Sequence, residues 1–256
     1  MIIDIGSGHK PHKDADILLE YKSGGNEHRW GKNLKINRPT LIYDGPKMPF
    51  KDNSFDFSIC RHVLEHVDFP TKFLGEINRI SYAGYIETPS EIAELTFTPY
   101  DQHKWIIHLS GNKLFLKKKL KTNISRFGKL FDYLCDNEEK FETYFYWKRR
   151  GLFFIEYFWK EKINFQIVRS SEKTFVNLYD PKTLRNLTKL NRANHFPKIS
   201  NETKKNNRSN VFNFLEKQII TPCCSEGVKY YKDYFLCRGC SRKYPIKGNL
   251  IEMYDS

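Results

Sequence analysis

The amino-acid sequence predicts an α/β protein: a doubly wound, mostly parallel sheet with a C-terminal antiparallel hairpin, followed by a small cysteine-bearing β module. Three observations carry this. The first 90 residues alternate short apolar runs with a stretch of helical periodicity, the pattern of strands joined by crossovers. Two aromatic and β-branched segments, LFFIEYFWK and INFQIV, flank the charged pair Glu161 and Lys162. Four of the six cysteines crowd into TPCCSEGVKYYKDYFLCRGC near the C-terminus.

Taken in order, β-like runs occupy Ile2 to Ile5, Ala15 to Glu20, Thr40 to Asp44, Phe55 to Cys60 and Gly84 to Thr88. Between the last two, Val63 to Ile80 has helical spacing. Right-handed crossovers place a ligand at the carboxyl ends of such strands. From Glu91 to Arg150 the text turns aromatic and basic, with Lys113, Lys117, Lys118, Lys119, Lys121, Arg126 and Lys129, and reads as an insertion. The LFFIEYFWK and INFQIV segments form the predicted hairpin at the sheet's edge. Residues 1–190 make the main domain. The polar stretch from Asn191 to Asn210 is a linker, and 211–256 the small module.

With 256 residues, 20 Phe and 15 Tyr, the chain has material for a full core. No apolar run approaches the ~18 residues of a membrane span, and MIIDIGSG has no basic and apolar leader, so a cytoplasmic location is expected. Clustered cysteines in a reducing compartment favour metal over disulfides. Cys60 and Cys135 stand alone and read as packed thiols. The formal charge is +13; residues 1–90 balance 12 Lys and Arg against 12 Asp and Glu, so the whole excess lies downstream. That field suits anionic partners such as RNA or acidic glycans, or serves solubility alone.

IIDIGSG puts Asp4, Gly6, Ser7 and Gly8 on the turn after the first strand, where missing side chains let backbone amides approach a ligand. Such a turn is equally a structural device, and the third glycine of the dinucleotide fingerprint is absent. Glu20 ends the second strand, where a carboxylate can accept two ribose hydroxyls or simply face solvent. The stretch from Met48 to Ile80, MPFKDNSFDFSICRHVLEHVDFPTKFLGEINRI, follows these in order. With Asp4, Gly6, Gly8 and Glu20 it resembles the type 11 methyltransferase family: Pro49, Phe50, Asp52, Ser54, Phe55 and Asp56, then Leu64, Glu65 and His66, then Glu76 and Arg79.

The resemblance covers about the first 90 residues and implies a Rossmann-like fold binding S-adenosylmethionine. It implies that the glycine turn supports the methionine moiety, that Glu20 takes the ribose, and that Asp44 with Gly45 lies beside the adenine. Arg61, after the fourth strand, joins this cofactor set. Pro11 stands where the family starts a long helix, so that helix is short or displaced. The family's Gly-Gly before strand five is reduced to Ala83-Gly84.

Methyl transfer needs an acceptor held about 3 Å from the methyl, and a hydroxyl acceptor profits from a general base. His62, after the fourth strand, and His103, beyond the fifth, are the catalytic candidates, with His108 near them; each is also readable as a packed histidine. His66 is assigned to the core helix. The Asn-Pro-Pro-Tyr motif used on exocyclic amines is absent from SICRHV, which favours oxygen or carbon acceptors.

Cys223, Cys224, Cys237 and Cys240 make the metal candidate, with 12 residues between Cys224 and Cys237. The module resembles the small zinc-ribbon family that serves as activating partner of tRNA and protein methyltransferases. That family expects C-P-x-C, whereas Thr221 here occupies the first ligand position. Either Cys223 substitutes through a shifted loop, or three thiolates act with another ligand, or the fold persists without zinc. Three functions follow: methylation of a small-molecule or glycan hydroxyl, with Tyr100, Trp105, Tyr144 and Trp147 suited to sugar faces; RNA methylation through the basic surface; or a binding scaffold on a silent core.

Overall fold

The computed structural model describes residues 1–21, 31–97, 101–120, 127–169, 175–176, 180–189 and 208–254. Its centre is a ten-stranded sheet ordered β10-β11-β12-β13-β3-β2-β1-β4-β5-β8. The strands of the predicted parallel core are β1 (Ile2–Ile5), β2 (Ile17–Tyr21), β3 (Thr40–Tyr43), β4 (Phe55–Arg61) and β5 (Ser81–Pro89). Their pairings with one another are all parallel. Near-continuous burial of β1 and β2 follows from coverage on both faces, which is why IIDI and ILLE show no alternation. The order 3-2-1-4-5, with chain reversal between β1 and β4, is Rossmann-like.

Helix α1 (Pro70–Ile80) links β4 to β5 and buries Pro70, Leu74, Ile77 and Ile80, one face at helical spacing. It begins seven residues later than the periodicity from Val63 predicts. Pro70 at the first helical position has a preset φ, and Phe69 before it is held out of the α region. The preceding residues form turns, opened by His62 at a positive φ of 56°. Between β1 and β2 residues 6–16 carry turns and no helix, as Pro11 forecast.

The predicted hairpin does not form. Both segments are strands, but β8 (Phe154–Lys160) pairs antiparallel with β5 at the edge of the large sheet, while β9 (Phe165–Val168) joins a second sheet, parallel to β7 (Lys113–Lys118). The turn at Lys160–Lys162 carries the chain from one sheet to the other, because the edge of β7 is open to receive it. The insertion supplies that second sheet, with β6 (Trp105–Ser110) paired to β7. It also supplies α2 (Glu91–Thr96), α3 (Gly128–Asn137), α4 (Glu139–Phe141), a π-helical turn (Glu142–Trp147) and α5 (Arg150–Phe153). Helix α6 (Pro181–Lys189) follows.

The linker expected over 191–210 lies outside the described residues except for its last three, which open helix α7 (Arg208–Gln218). Strands β10 (Val228–Tyr231), β11 (Tyr234–Cys237), β12 (Lys243–Lys247) and β13 (Leu250–Met253) form an antiparallel meander, and β13 then pairs parallel with β3. One apolar cluster runs from Ile3, Ile17 and Leu41 through Phe50 and Phe55 to Phe212, Leu215, Phe235 and Ile251. Main-chain bonds from Lys51 N–H to Gln218 and from Ile220 N–H to Pro49 tie α7 to the segment before β4.

Candidate functional site

The carboxyl ends of β1, β2 and β4 hold most of the predicted cofactor residues together. Gly6 and Gly8 have φ of +69° and +57°, the left-handed region that favours glycine. A Cβ on Gly6 would overlap Val63 Cγ2, so the turn is fixed both by backbone strain and by close approach. Glu20, 6% exposed, accepts from Ser7 Oγ at 2.6 Å and Gly8 N–H at 2.9 Å and so braces the turn from β2.

Asp4 is fully buried; its Oδ2 accepts from His12 N–H at 2.7 Å and lies 4.0 Å from Arg61 Nη2, whereas its Oδ1 has no hydrogen-bond partner. Burial pushes the Asp4 carboxyl up to about 6, against the pull of His12 N–H and Arg61. Arg61 also donates to Lys10 O at 2.6 Å. An orphaned buried carboxylate oxygen under a glycine turn fits a site that receives a polar ligand.

Asp44 and Gly45 lie at the end of β3, two strands from β1, where Tyr21 Oη donates to Asp44 O at 3.0 Å. They line a cleft of about 430 Å³ whose opposite wall is the C-terminal module: Ile220, Thr221, Pro222, Ser225 and Met253. Sequence reasoning placed that module outside the site. Its signal was available in LIEM, an apolar segment after the cysteines that suits a sheet edge.

His62 follows β4 but is poorly placed to act as a base. Its Nε2 lies 3.1 Å from Glu87 Oε1 and its Nδ1 3.4 Å from Glu65 Oε1. Burial alone would lower its pKa, but the two carboxylates outweigh burial and raise it to about 9, so the ring is an imidazolium at neutral pH. Glu87 also accepts from Tyr85 Oη at 2.5 Å and pairs with Arg150 Nη2 at 2.5 Å. Despite its burial, these partners hold it down at about 2. Arg150 lies 4.2 Å over the Phe154 ring, which touches His62 edge-on at 5.5 Å and stacks with Trp147 at 6.4 Å. The insertion thus builds an aromatic wall beside the strand ends, with Tyr144 and Trp147 exposed.

His103 Nδ1 sits 2.5 Å from Glu94 Oε1, and its ring meets His66 edge to face at 4.7 Å. His66 is therefore in the turn before α1 and beside the site, not in the core helix. His108 is elsewhere, stacked on Phe175 at 5.3 Å, and burial lowers its pKa. Trp105 donates from Nε1 to Val67 O at 2.8 Å and anchors β6 to this turn. Tyr100, Lys121 and Arg126 lie outside the described residues. Of the basic stretch, Lys117 and Lys119 are buried in ion pairs with Glu91 at 3.3 Å and Glu94 at 2.6 Å, so it is not one continuous cationic face. Glu87, Glu94 and Arg150 were missed, and Glu65 was read only as part of the family motif; a charge inside an apolar strand, as Glu87 lies in YIETP, was the available clue. Cys60 is fully buried, and its thiol pKa is raised by burial, so it stays a packed thiol.

The four candidate cysteines converge, with sulfur atoms within 4.8 Å of one another and Cys223 Sγ 3.4 Å from Cys240 Sγ. Thr221 sits against this knuckle, its Oγ1 3.3 Å from Cys237 Sγ, in the turn at 221–225 that also carries Cys223 and Cys224. Burial raises the Cys237 thiol, but Thr221 and the amides of Cys240 and Gly239 bring it down to about 6. Four sulfurs at this spacing match tetrahedral thiolate coordination, where neighbouring sulfurs stand about 3.8 Å apart.

Residues 27–84 match the Methyltransf_11 family model, a methyltransferase domain. The match begins beyond the glycine turn and Glu20, which rest on the geometry above. An uncharacterized protein of Methanocaldococcus jannaschii is 43% identical over 49 residues, 19% of this chain and 21% of that protein. A demethylmenaquinone methyltransferase of Renibacterium salmoninarum is 29% identical over 98 residues, 37% of this chain and 40% of that protein. The matched part therefore spans less than half the length of either curated relative. Among solved structures, an S-adenosylmethionine-dependent methyltransferase from Mesorhizobium loti is similar at 16% identity and a TM-score of 0.28, covering 46% of this chain and 57% of that one.

Proposed function

We propose that this protein is an S-adenosylmethionine-dependent methyltransferase acting on a hydroxyl of a small-molecule or carbohydrate acceptor. The observation that carries the reading is the braced glycine turn: Gly6 and Gly8 at positive φ, Glu20 holding Ser7 and Gly8, and a buried orphan oxygen on Asp4, all at the carboxyl ends of parallel strands. The match of residues 27–84 to a methyltransferase domain supports the same chemistry. When bound, S-adenosylmethionine supplies an electrophilic methyl for in-line displacement.

The chain's own contribution is positional. Gly6 and Gly8 let the backbone approach the ligand, and the cleft beside Asp44 and Gly45 offers a slot for a flat base between β3 and the module. Ion pairs of the buried Glu87 with His62 and Arg150 give a fixed charged floor beside the aromatic wall, so an acceptor is oriented by packing and donated hydrogen bonds. Exposed Tyr144 and Trp147 suit apolar or sugar faces, and the internal pairing of Lys117 and Lys119 favours a small acceptor over RNA.

The cysteine knuckle, in this reading, holds Zn²⁺ through Cys223, Cys224, Cys237 and Cys240 as a structural brace for the cleft's outer wall. Transfer of a labelled methyl from S-adenosylmethionine to a panel of hydroxylated small molecules, glycans and RNA tests the reading. Label in a hydroxylated small molecule or glycan supports it; label confined to RNA, or absent from every acceptor, overturns it.

A further inference from the structure

We infer a second cation site, distinct from the cysteine knuckle and formed by Glu65, His66 and His103. These residues come from the turn after β4 and from the segment entering β6, and one ligand atom from each lies within 4.8 Å of the others. Two imidazoles and a carboxylate around one point are the donor set of first-row divalent metals such as Mn²⁺, Fe²⁺ or Zn²⁺. Such a set leaves coordination positions for water or an oxygen donor of a bound substrate. Metal–ligand distances of about 2.0 to 2.2 Å put donors about 3 to 4 Å apart, so the three need to draw in by about 2 Å at most.

Two features distinguish this cluster from a chance meeting of polar groups. The first is orientation from outside. His103 Nδ1 is held by the buried Glu94 carboxylate at 2.5 Å, and His66 Nδ1 lies 3.2 Å from Gln102 O. Engagement of one ring nitrogen by a carboxylate or carbonyl is how metal-ligating histidines are aimed.

The second is the carboxylate. Glu65 is 1% exposed, its Oε2 accepts from Thr88 Oγ1 at 3.1 Å, and its buried Oε1 makes no hydrogen bond, with His62 Nδ1 at 3.4 Å. Its main-chain oxygen accepts from Lys104 and Trp105 N–H, at 2.7 and 3.2 Å. That pair of bonds locks the two segments that carry the ligands to each other. The charges nearby are His62, which lies against both Glu65 and Glu87, then Arg150 on Glu87, Lys119 on Glu94 and Lys104 on Asp68.

The test is equilibrium dialysis of the full chain against excess Mn²⁺, counting total bound first-row metal per chain by elemental analysis. Mn²⁺ prefers oxygen and imidazole donors over thiolates, and counting every metal covers zinc already held. The wild type is expected to bind one equivalent more than a His66→Ala/His103→Ala variant. Glu94→Gln, which mis-aims His103 and also removes the carboxylate paired with Lys119, is expected to weaken that equivalent about tenfold or more in a variant whose melt shows it folded. Cys237→Ser removes a different equivalent and leaves this one. Thermal melts establish that each variant is folded, and His66→Ala alone serves if the double variant is not. Equal metal content in the wild type and the folded histidine variants overturns the inference. S-adenosylmethionine binding measured on the same samples reports separately on the methyltransferase reading.

Discussion

Replacing Gly6 by alanine isolates what the glycine turn contributes. The substitution forces an L side chain into a φ of +69°, which costs about 1 to 2 kcal/mol. It also drives the new Cβ into Val63 Cγ2, an overpacking that costs about 1 to 3 kcal/mol. Together Gly6→Ala should lose about 2 to 5 kcal/mol, a large part of the ~5 to 15 kcal/mol that holds a domain. Val63→Ala removes the obstructing methyl and leaves the backbone strain. Urea unfolding of the wild type, both single variants and the double variant then gives a coupling energy. Relief of about 1 to 3 kcal/mol in the double variant is expected. A Gly6→Ala protein within about 0.5 kcal/mol of wild type, or a double variant showing no relief, refutes the close-approach argument.

Three further outcomes follow from the same contacts. His62, raised from its ordinary 6.5 to about 9, adds stability that is complete below pH 6.5 and lost as pH rises through 9. With the side chain 45% exposed, that loss should be about 1 to 2 kcal/mol, read as a falling Tm between pH 6.5 and 9 that His62→Gln abolishes. Gly84→Ala places a Cβ 2.6 Å from Ser58 O and 2.7 Å from Trp159 Nε1 where β5 lies between β4 and β8, and should cost about 1 to 3 kcal/mol in urea unfolding. Cys240→Ser should remove one equivalent of bound zinc by native mass spectrometry and reduce Tm; unchanged zinc would exclude the knuckle as a zinc site.

The parallel core was legible because its strands are buried on both faces, so IIDI, ILLE and TLIY are continuous apolar runs between turn residues. The start of α1 was misread because Val63 and Leu64 have helical spacing with Leu74 and Ile77, while Pro70 alone sets the boundary. Spacing does not reveal that LFFIEYFWK and INFQIV take different partners, since both are good strands and the choice is made by which sheet edge is open. At the site, the sequence set Asp4, Gly6, Ser7, Gly8, Glu20 and Arg61 at the carboxyl ends of β1, β2 and β4, where the turn that Glu20 braces is found.

The pairing of Glu87 with Arg150, 63 residues away in the sequence, could not be read, and it is this pairing together with Glu65 that turns His62 from a candidate base into a fixed cation. The contribution of Ile220 to Met253 to the cleft was hidden for a similar reason. It depends on β13 adding to β3, a contact between segments far apart in the sequence.

The central claim is that the turn after β1 binds S-adenosylmethionine, and isothermal titration of the folded full chain with S-adenosylmethionine and S-adenosylhomocysteine tests it most directly. Micromolar binding of both, abolished in a folded Gly6→Asp variant, is the predicted result. Absence of binding by folded wild-type protein, or equal binding by the variant, would contradict it.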